Sequence, residues 1–170
     1  MTGHSNRWSP AAAGFGQTMA EFMVETRGPG LTDITGRLAR WLGELGADDG
    51  LLTVFIRHTS ASLTIQENAD PDVQADLMDA LSALAPAEAP YRHHLEGPDD
   101  MPAHIKAVLT STSLTVPVMG GHMTLGTWQA IYVIEHRARP HQRSLTVHFA
   151  GTDRNLSRPL HADRRTKRQD

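Results

Sequence analysis

Two patterns of apolar residues divide the chain into strands and helices. Runs of β-branched and apolar residues are typical of strands, and residues 51–58 (LLTVFIRH) form such a run, which continues through ASLTI as a further strand segment. The same signals predict strands over residues 17–26, 113–118, 123–136 and 144–149. The last three follow one another across short turns, one of them at Gly120 and Gly121, which predicts an antiparallel meander.

A helical spacing of apolar residues predicts the first helix. The residues of its apolar face are spaced by one, three or four positions: Ile34, Leu38, Trp41, Leu42 and Leu45. Thr32 is expected as the N-cap, because its hydroxyl can accept a backbone N–H of the first turn. Gly46 is expected to end the helix, since glycine readily adopts the left-handed conformation found there.

The second helix has both of its ends marked. Asp70 is expected as its N-cap, Pro71 as its first helical residue, and Pro86 ends it. The stripe expected to be buried consists of Val73, Leu77, Leu81 and Leu84. A short third helix is predicted over residues 102–109, after a polar loop that contains proline.

The order of these elements indicates the fold class. A strand, a helix, strands, two helices and further strands do not alternate strictly as in a parallel doubly wound sheet. With 170 residues, 39% of them hydrophobic, the chain suits one domain with a sizeable core. No glycine-rich phosphate loop or dinucleotide fingerprint follows a strand. We therefore expect a single α+β domain outside the nucleotide-binding superfolds.

The composition excludes several kinds of site and partner. The chain has no cysteine, which excludes disulfides, thiolate metal sites and cysteine nucleophiles, so that any metal must be bound by His, Asp or Glu. The formal net charge of −3 gives no indication of nucleic-acid or membrane binding. No signal-like start and no membrane-spanning stretch is present, so we expect a cytoplasmic protein.

Both ends of the chain differ from its middle. Residues 1–15 are rich in Ala, Gly, Ser and Pro, which predicts a flexible arm. Residues 152–170 hold six basic and three acidic residues, and such a tail either contacts RNA or stays solvated. Since no aromatic residue is interleaved for base stacking, we expect a flexible basic tail. The folded domain is then expected over residues 16–151.

Histidine is enriched, with ten copies against two tyrosines. His93 and His104 lie on either side of the predicted loop-to-helix boundary, in the company of Glu96, Asp99 and Asp100. Two imidazoles that converge there can bind one divalent metal, zinc or magnesium, with a carboxylate or water completing an open site. The alternative is an exposed polar loop whose acidic residues cap the helix.

Hydroxyl residues follow His58 in the segment HTSAS. Hydroxyls and backbone N–H groups are the donors that phosphate oxygens need, so Thr59 and Ser60 are candidates for an anion pocket. An edge strand with exposed hydroxyls is the alternative. Glu67 and Asn68 precede the second helix without being needed to cap it, which makes them candidates for hydrogen bonding or metal binding.

A glycine and two large side chains stand together inside a predicted strand. Gly126 in such a position marks a bulge or the close approach of a ligand, and Trp128 and Gln129 then point to opposite faces of the strand. The alternative is a tryptophan buried in the core of the sheet. Arg143, at the start of the last strand, offers the planar fork that binds phosphate with two hydrogen bonds.

Several motifs follow one another along the chain in a fixed order. They are HTSASLTIQENADPDV from His58, YRHHLEGPDDMPAHIK from Tyr91, SLTVPVMGGHMTLGTWQAI from Ser113, and the strand that ends at Ile134 and Glu135. Together they resemble the YjbQ family of small bacterial and archaeal proteins, whose signature has the core LGTWQ. The resemblance covers roughly residues 15–151. It implies an α+β fold with a largely antiparallel, β-sandwich-like sheet and two or three helices, assembled as a homotrimer.

The resemblance also implies an activity, that of a secondary thiamine-phosphate synthase, which joins a pyrimidine diphosphate to a thiazole phosphate and releases pyrophosphate. The alternative is a homotrimer that binds a metal or a phosphorylated metabolite without catalysis. The implied site residues are His58 and Glu67 for catalysis or as a third metal ligand, His93 and His104 for the metal, and Thr59, Ser60, Asn68, Trp128, Gln129 and Arg143 for the substrate. Trp128 would stack on a heterocycle, and Gln129 would hydrogen-bond its edge.

Overall fold

The structure, a computed structural model, describes residues 9–12 and 14–154, and their strands form two antiparallel sheets. In spatial order the larger sheet contains β1 (Ser9–Ala12), β2 (Phe15–Thr26), β9 (His141–Asp153), β4 (Ala47–Ile56), β6 (Ser113–Met119) and β7 (His122–Met123). The smaller sheet contains β3 (Gly30–Asp33), β8 (Gln129–Glu135) and β5 (Ala61–Glu67). The helices are α1 (Thr35–Leu45), α2 (Pro71–Leu84) and α3 (Asp100–Leu109).

The two sheets pack face to face around one apolar core. Exposed and buried residues alternate strictly along β2, as expected for a strand with one face in the core. Phe22, Leu52 and Phe149 of the larger sheet are buried together with Ile131 and Val133 of β8. The expected fold class, one α+β domain with a largely antiparallel, sandwich-like sheet and three helices, is confirmed.

The smaller sheet is the middle layer of the molecule, because β8 is buried on both faces. The side chain of Glu135 faces the larger sheet, where it contacts Thr26 of β2. Neighbouring positions face the helices: the Tyr132 hydroxyl accepts a hydrogen bond from Gln74 of α2 over 3.2 Å, and Ile134 lies beside Leu81. The period of two along β8 thus sends alternate side chains to the sandwich core and to the helical layer.

The outer face of the larger sheet carries apolar residues in contact with solvent. Phe15, Met19 and Met23 lie on this face of β2, and Leu51 and Phe55 lie on the same face of β4. All five are exposed large hydrophobic side chains, and no helix in the described part of the chain packs over them. We call this surface the outer apolar face.

The first helix is confirmed, with a correction at its start. Gly46 ends α1 in the left-handed conformation with a φ of 68°, as expected. The N-cap is Ile34, however, and the prediction of Thr32 was wrong, because Thr32 pairs with Val133 in the ladder of β3 and β8. Asp33 supplies the capping interaction instead, since its carboxylate accepts the Thr35 N–H over 2.8 Å.

The second helix is also confirmed, but its expected buried stripe is not. Asp70 caps α2 by accepting the Asp72 N–H over 2.9 Å, and Pro71 is the first helical residue. All of α2 is described and none of its residues is buried; Leu84 is 67% exposed. The periodicity correctly indicated the face toward the smaller sheet, but this helix lies in the outermost layer, where one side of the stripe stays open.

The prediction of an antiparallel meander and of two long, continuous strand segments was wrong in two places. The run from residue 51 through ASLTI is broken after Ile56, because β4 belongs to the larger sheet and β5 to the smaller one. The expected strand over 123–136 is likewise divided into β7 and β8, which lie in different sheets. Each crossing needs irregular backbone, since a continuous ladder would keep the chain in one sheet. The hairpin turn at Gly120 and Gly121, both with positive φ, is confirmed.

Both ends of the described chain belong to strands. β1 pairs with β2, and β9 continues to Asp153. Most of the segments expected to be flexible, 1–15 and 152–170, lies outside the described residues, so that expectation stays a prediction. None of the helices in the described ranges is long and apolar enough to span a membrane.

A buried ion pair connects the two sheets. Glu135 of β8 accepts hydrogen bonds from Arg143 of β9 at Nε over 2.7 Å and at a terminal nitrogen over 2.5 Å. The Thr26 hydroxyl donates to the same carboxylate over 2.6 Å. Burial by itself raises the pKa of a carboxyl, but the hydrogen bonds from Arg143 and Thr26 keep the pKa of Glu135 below its usual value. The charged form of Glu135 is therefore the one that the fold stabilises.

We predict that Arg143→Met lowers the free energy of unfolding by about 3–5 kcal/mol, because the variant leaves the buried Glu135 carboxylate without its cation. The matched control is Arg57→Met. Arg57 pairs with Glu21 over 2.9 Å on the surface, where both side chains are more than half exposed, so its loss is expected to cost only about 0–1 kcal/mol. Urea denaturation of both variants measures the difference, and equal losses would contradict the assignment.

Candidate functional site

Two histidines and one aspartate converge at the start of α3. Asp100 and His104 are four residues apart on the helix, which places their side chains on the same face. His93 reaches them from the irregular segment that precedes the helix. Its Nε2 lies 2.8 Å from Oδ2 of Asp100, and Nε2 of His104 lies 3.3 Å from the same oxygen. We call these three residues the triad.

Neighbouring groups orient each member of the triad. The Nδ1 atom of His104 lies 3.0 Å from the carbonyl oxygen of Thr59, which can accept but not donate a hydrogen bond. Nδ1 therefore carries a proton, and Nε2 faces Asp100. The other oxygen of Asp100 accepts a hydrogen bond from the guanidinium of Arg137. Such outer contacts are typical of residues that hold a metal.

Arg137 fastens the preceding loop to the start of α3. Its Nε donates to Asp99 over 3.0 Å, and a terminal nitrogen donates to the carbonyl of Glu96 over 2.8 Å. Partial burial raises the pKa of the Asp99 carboxyl, but the hydrogen bonds from the Ala138 N–H and from Arg137 bring the pKa below its usual value. The pKa of Arg137 is raised by these carboxylates despite its partial burial. The segment that carries His93 is thus held by charged hydrogen bonds.

The donor set and spacing of the triad suit a divalent transition metal. The three ligand atoms lie within 4.8 Å of one another. Two ligands of a tetrahedral zinc ion, each bound at about 2.1 Å, lie about 3.4 Å apart, close to the separation of His104 and Asp100. Asp100 is buried, while the imidazoles are partly exposed, so one side of the site is open to solvent. An open side is typical of metal sites that bind a substrate.

The loop between β4 and β5 adjoins the triad through Thr59. His58 and Ser60 of the same loop hold it in place. Nε2 of His58 accepts the Ser144 N–H over 2.8 Å, and the Ser60 carbonyl accepts a weak hydrogen bond from Arg143 over 3.4 Å. Burial and the nearby charge of Arg143 lower the pKa of His58. His58 was expected as a third ligand or a base. Among the described residues, the third potential metal ligand beside His93 and His104 is Asp100, and neither His58 nor Glu67 belongs to this cluster.

Four of the expected site residues lie at the opposite end of the smaller sheet. Glu67 pairs with Gln129 at one end of the ladder of β5 and β8, whereas Ala61 pairs with Glu135 at the other. Six residue steps of about 3.3 Å separate these ends by roughly 20 Å. Asn68 donates its N–H to the Trp128 carbonyl over 3.0 Å and so belongs to the same end. We call Glu67, Asn68, Trp128 and Gln129 the distal group.

Two expectations about the distal group need correction. Gly126 does not lie within a strand; it belongs to the segment between β7 and β8, where its N–H donates to Oε1 of Gln129 over 2.8 Å. Trp128 is 64% exposed, so the alternative of a tryptophan in the sheet core was wrong. Its ring is free to contact a ligand or another protein surface. The local turn is thus built around Gln129 and not around a bulge.

Arg143 lies away from solvent, with only 4% of its surface exposed. Two of its nitrogens donate to Glu135, so the fork expected for phosphate is occupied by a carboxylate. Sequence reasoning named Asp100 only as one of the carboxylates near the two histidines and as a possible helix cap, and it missed Arg137 as their anchor. The four-residue spacing of Asp100 and His104 was a usable signal, whereas nothing local indicated the partners of Arg137.

Sequence comparison extends the resemblance to most of the chain. A family model described as UPF0047 protein YjbQ-like matches residues 20–152. A UPF0047 protein of Synechocystis sp. is 47% identical over 142 residues, which cover 83% of this chain and 97% of that protein. The UPF0047 protein YjbQ of Salmonella typhimurium is 42% identical over 119 residues, which cover 70% and 84% of the two chains.

Solved structures give the same result. The crystal structure of a YjbQ/UPF0047 family protein from Clostridium acetobutylicum has a TM-score of 0.71 and 38% identity, covering 76% of this chain and 98% of that chain. A hypothetical protein from Aeropyrum pernix has a TM-score of 0.72 and 30% identity, covering 78% and 98%. Since the family model, the relatives and the structures all match the same folded region, the chain belongs to the UPF0047 (YjbQ-like) family.

Proposed function

We propose that the chain is a metal-dependent enzyme that acts on a phosphorylated small molecule, with the metal bound by the triad. The observation that carries the proposal is the geometry at His104, whose Nδ1 is tied to the Thr59 carbonyl while its Nε2 faces Asp100 and His93. The orientation of two partly exposed imidazoles toward one buried carboxylate supports the proposal, because the three ligand atoms lie within 4.8 Å of one another on a side that is open to solvent. An open His–His–Asp site is the simplest account of this arrangement.

The donor set favours zinc over magnesium. Imidazole nitrogens suit zinc and related transition metals, whereas magnesium prefers an octahedron of oxygen ligands. A zinc ion at such a site supplies a Lewis acid toward a phosphate or carbonyl oxygen. The chain itself supplies the loop of Thr59 and Ser60, whose Thr59 carbonyl contacts His104 and whose hydroxyls and backbone N–H groups are of the kind that donate to phosphate. His58 holds that loop against β9 through Ser144.

Within this class, the proposed reaction is the joining of a pyrimidine diphosphate to a thiazole phosphate with release of pyrophosphate. This choice rests on the family resemblance. The residues near the triad suit one part of the task, which is to bind a phosphate group. The other part is to hold an aromatic heterocycle, and the exposed ring of Trp128 with the amide of Gln129 suits it.

The distance between the triad and the distal group is relevant to how the protomers assemble. In one protomer the distal group lies roughly 20 Å along the ladder from the triad end, too far for one small substrate to contact both. We propose that the protein is a homotrimer in which the distal group of one protomer completes the site of a neighbour. The outer apolar face supports self-association, because five large apolar side chains in one surface are typical of an interface.

We predict that the purified wild-type protein retains near-stoichiometric zinc and that His104→Ala and His93→Ala lose it, because two remaining ligands hold a zinc ion poorly. The matched control is His94→Ala, since His94 is exposed, contacts the Arg92 carbonyl and stands outside the triad. Elemental analysis after dialysis measures the ion content. Retention of wild-type zinc by His104→Ala would contradict the assignment of the site.

We predict turnover of the pyrimidine diphosphate and thiazole phosphate pair, followed as pyrophosphate release, with loss of activity in His104→Ala and in Trp128→Ala. Co-expression of these two variants with different tags is expected to restore part of the activity in mixed assemblies, because one protomer keeps the triad and its neighbour keeps Trp128. No recovery would contradict a shared site. Stoichiometric binding without product would instead favour the non-catalytic binder.

We predict that native mass spectrometry finds three copies of the chain and that Phe55→Glu shifts the population toward monomer, because a carboxylate in an apolar interface loses its hydration. The control is Leu84→Glu, which changes another exposed large apolar residue, on α2 and away from the outer apolar face. A trimer that resists Phe55→Glu and dissociates in the α2 variant would place the interface elsewhere.

A further inference from the structure

A cavity lies on the other side of α3 from the triad. Its volume is about 280 Å³, and it is bounded by the end of α2, by α3 and by the residues that follow β8. Lys106 and His136 form part of its wall, together with Ser82 and Pro102. His104 and Lys106 are two residues apart, so their side chains project about 200° apart around the helix. The cavity is therefore separate from the triad.

Lys106 is buried without a counter-ion. It is 8% exposed, and its ammonium group donates one long hydrogen bond, 3.5 Å, to the Ser82 hydroxyl. In the described part of the chain, no carboxylate comes within ion-pairing distance of its nitrogen. Burial lowers the pKa of Lys106, and the charge of the nearby Asp99 carboxylate opposes this shift. Buried ammonium groups are normally paired at close range, and no such close partner of Lys106 lies among the described residues.

His136 has an unused ring nitrogen in the same wall. It is 3% exposed, and its Nε2 lies 2.8 Å from the Ser62 hydroxyl. Its Nδ1 is buried and has no hydrogen-bond partner among the described residues. When the Ser62 hydroxyl donates to Nε2, the ring proton is on Nδ1, which is then a free donor. Burial also lowers the pKa of His136 to about 4, so the ring is neutral near pH 7.

The acidic residues of the wall form no close ion pair with Lys106. Oδ2 of Asp99 already accepts from Nε of Arg137 over 3.0 Å and from the Ala138 N–H over 2.9 Å. Glu88 is exposed at the rim, where water screens its charge. The wall of the cavity thus presents an ammonium and a hydroxyl as donors, together with an imidazole whose Nδ1 is a further donor when the Ser62 hydroxyl donates to Nε2.

We propose that this cavity binds a small anion through an oxyanion group, with the Lys106 ammonium as its counter-ion and the Nδ1–H of His136 and the Ser82 hydroxyl as further donors. The ligand class is a carboxylate- or phosphate-bearing metabolite of a few heavy atoms, because the volume lies at the lower end of the range for small-molecule pockets. The proposal does not depend on metal at the triad or on the proposed reaction.

The test follows the His136 ring by NMR in protein that carries ¹⁵N-labelled histidine and has been treated with a chelator. Sodium phosphate and sodium acetate are added separately at constant ionic strength. We expect the Nδ1 resonance of His136, assigned by its absence in His136→Gln, to shift in a saturable way with at least one of the two anions. The anion that binds distinguishes a phosphate from a carboxylate ligand. No shift with either anion would overturn the proposal.

Two variants distinguish anion binding in this cavity from anion binding elsewhere on the protein. Lys106→Met, which keeps most of the length of the side chain and removes its charge, is expected to weaken anion binding at least tenfold. His104→Ala is expected to leave the anion affinity unchanged, because His104 projects to the other side of α3. An unchanged affinity in Lys106→Met would overturn the assignment. Should that variant fail to fold, Ser82→Ala together with the wild-type titration gives the same decision.

Discussion

The carboxylate of Glu135 is the group on which the arrangement of the molecule depends. It is buried between the sheets and accepts hydrogen bonds from Thr26 of β2 and Arg143 of β9, so it ties the end of β8 to the larger sheet. It also accepts the Arg137 N–H over 2.9 Å. Arg137 in turn holds Asp100 at the start of α3. One buried charge therefore links the sandwich to the site, and its neutralisation by Arg143 is what makes its burial tolerable.

α3 carries residues of both candidate sites because its two sides face different neighbours. Asp100 and His104 lie on the side toward the loop of Thr59, where the Thr59 carbonyl sets the proton position of the imidazole. Lys106 lies on the other side, against α2 and the residues after β8. A helix of only ten residues can do this because successive side chains are turned by about 100°. The two candidate sites thus share a scaffold but no side chain.

The candidate site was predictable from the sequence only in part. The histidines could be grouped because His93 and His104 stand near a helix start, and the structure does bring them together. Their carboxylate companion Asp100 is near them in the sequence, but its anchor Arg137 depends on a contact across 37 residues, and no local signal reports such a contact. The same limit applies to Arg143, which resembles a free phosphate fork in the sequence. In the structure its fork is filled by Glu135.

The sequence by itself determined the elements with strong local signals. α1 follows from the spacing of its apolar residues and the glycine that ends it, and α2 from the Asp70 cap and Pro71. The motifs around LGTWQ identified the family. Only the tertiary structure decided which sheet each strand joins, that α2 lies in an outer layer and that Trp128 stays exposed. The reason is physical: periodicity records that a residue has a buried face, whereas the partner on that face, such as Thr26 for Glu135 across 109 residues, is selected by packing of the whole chain.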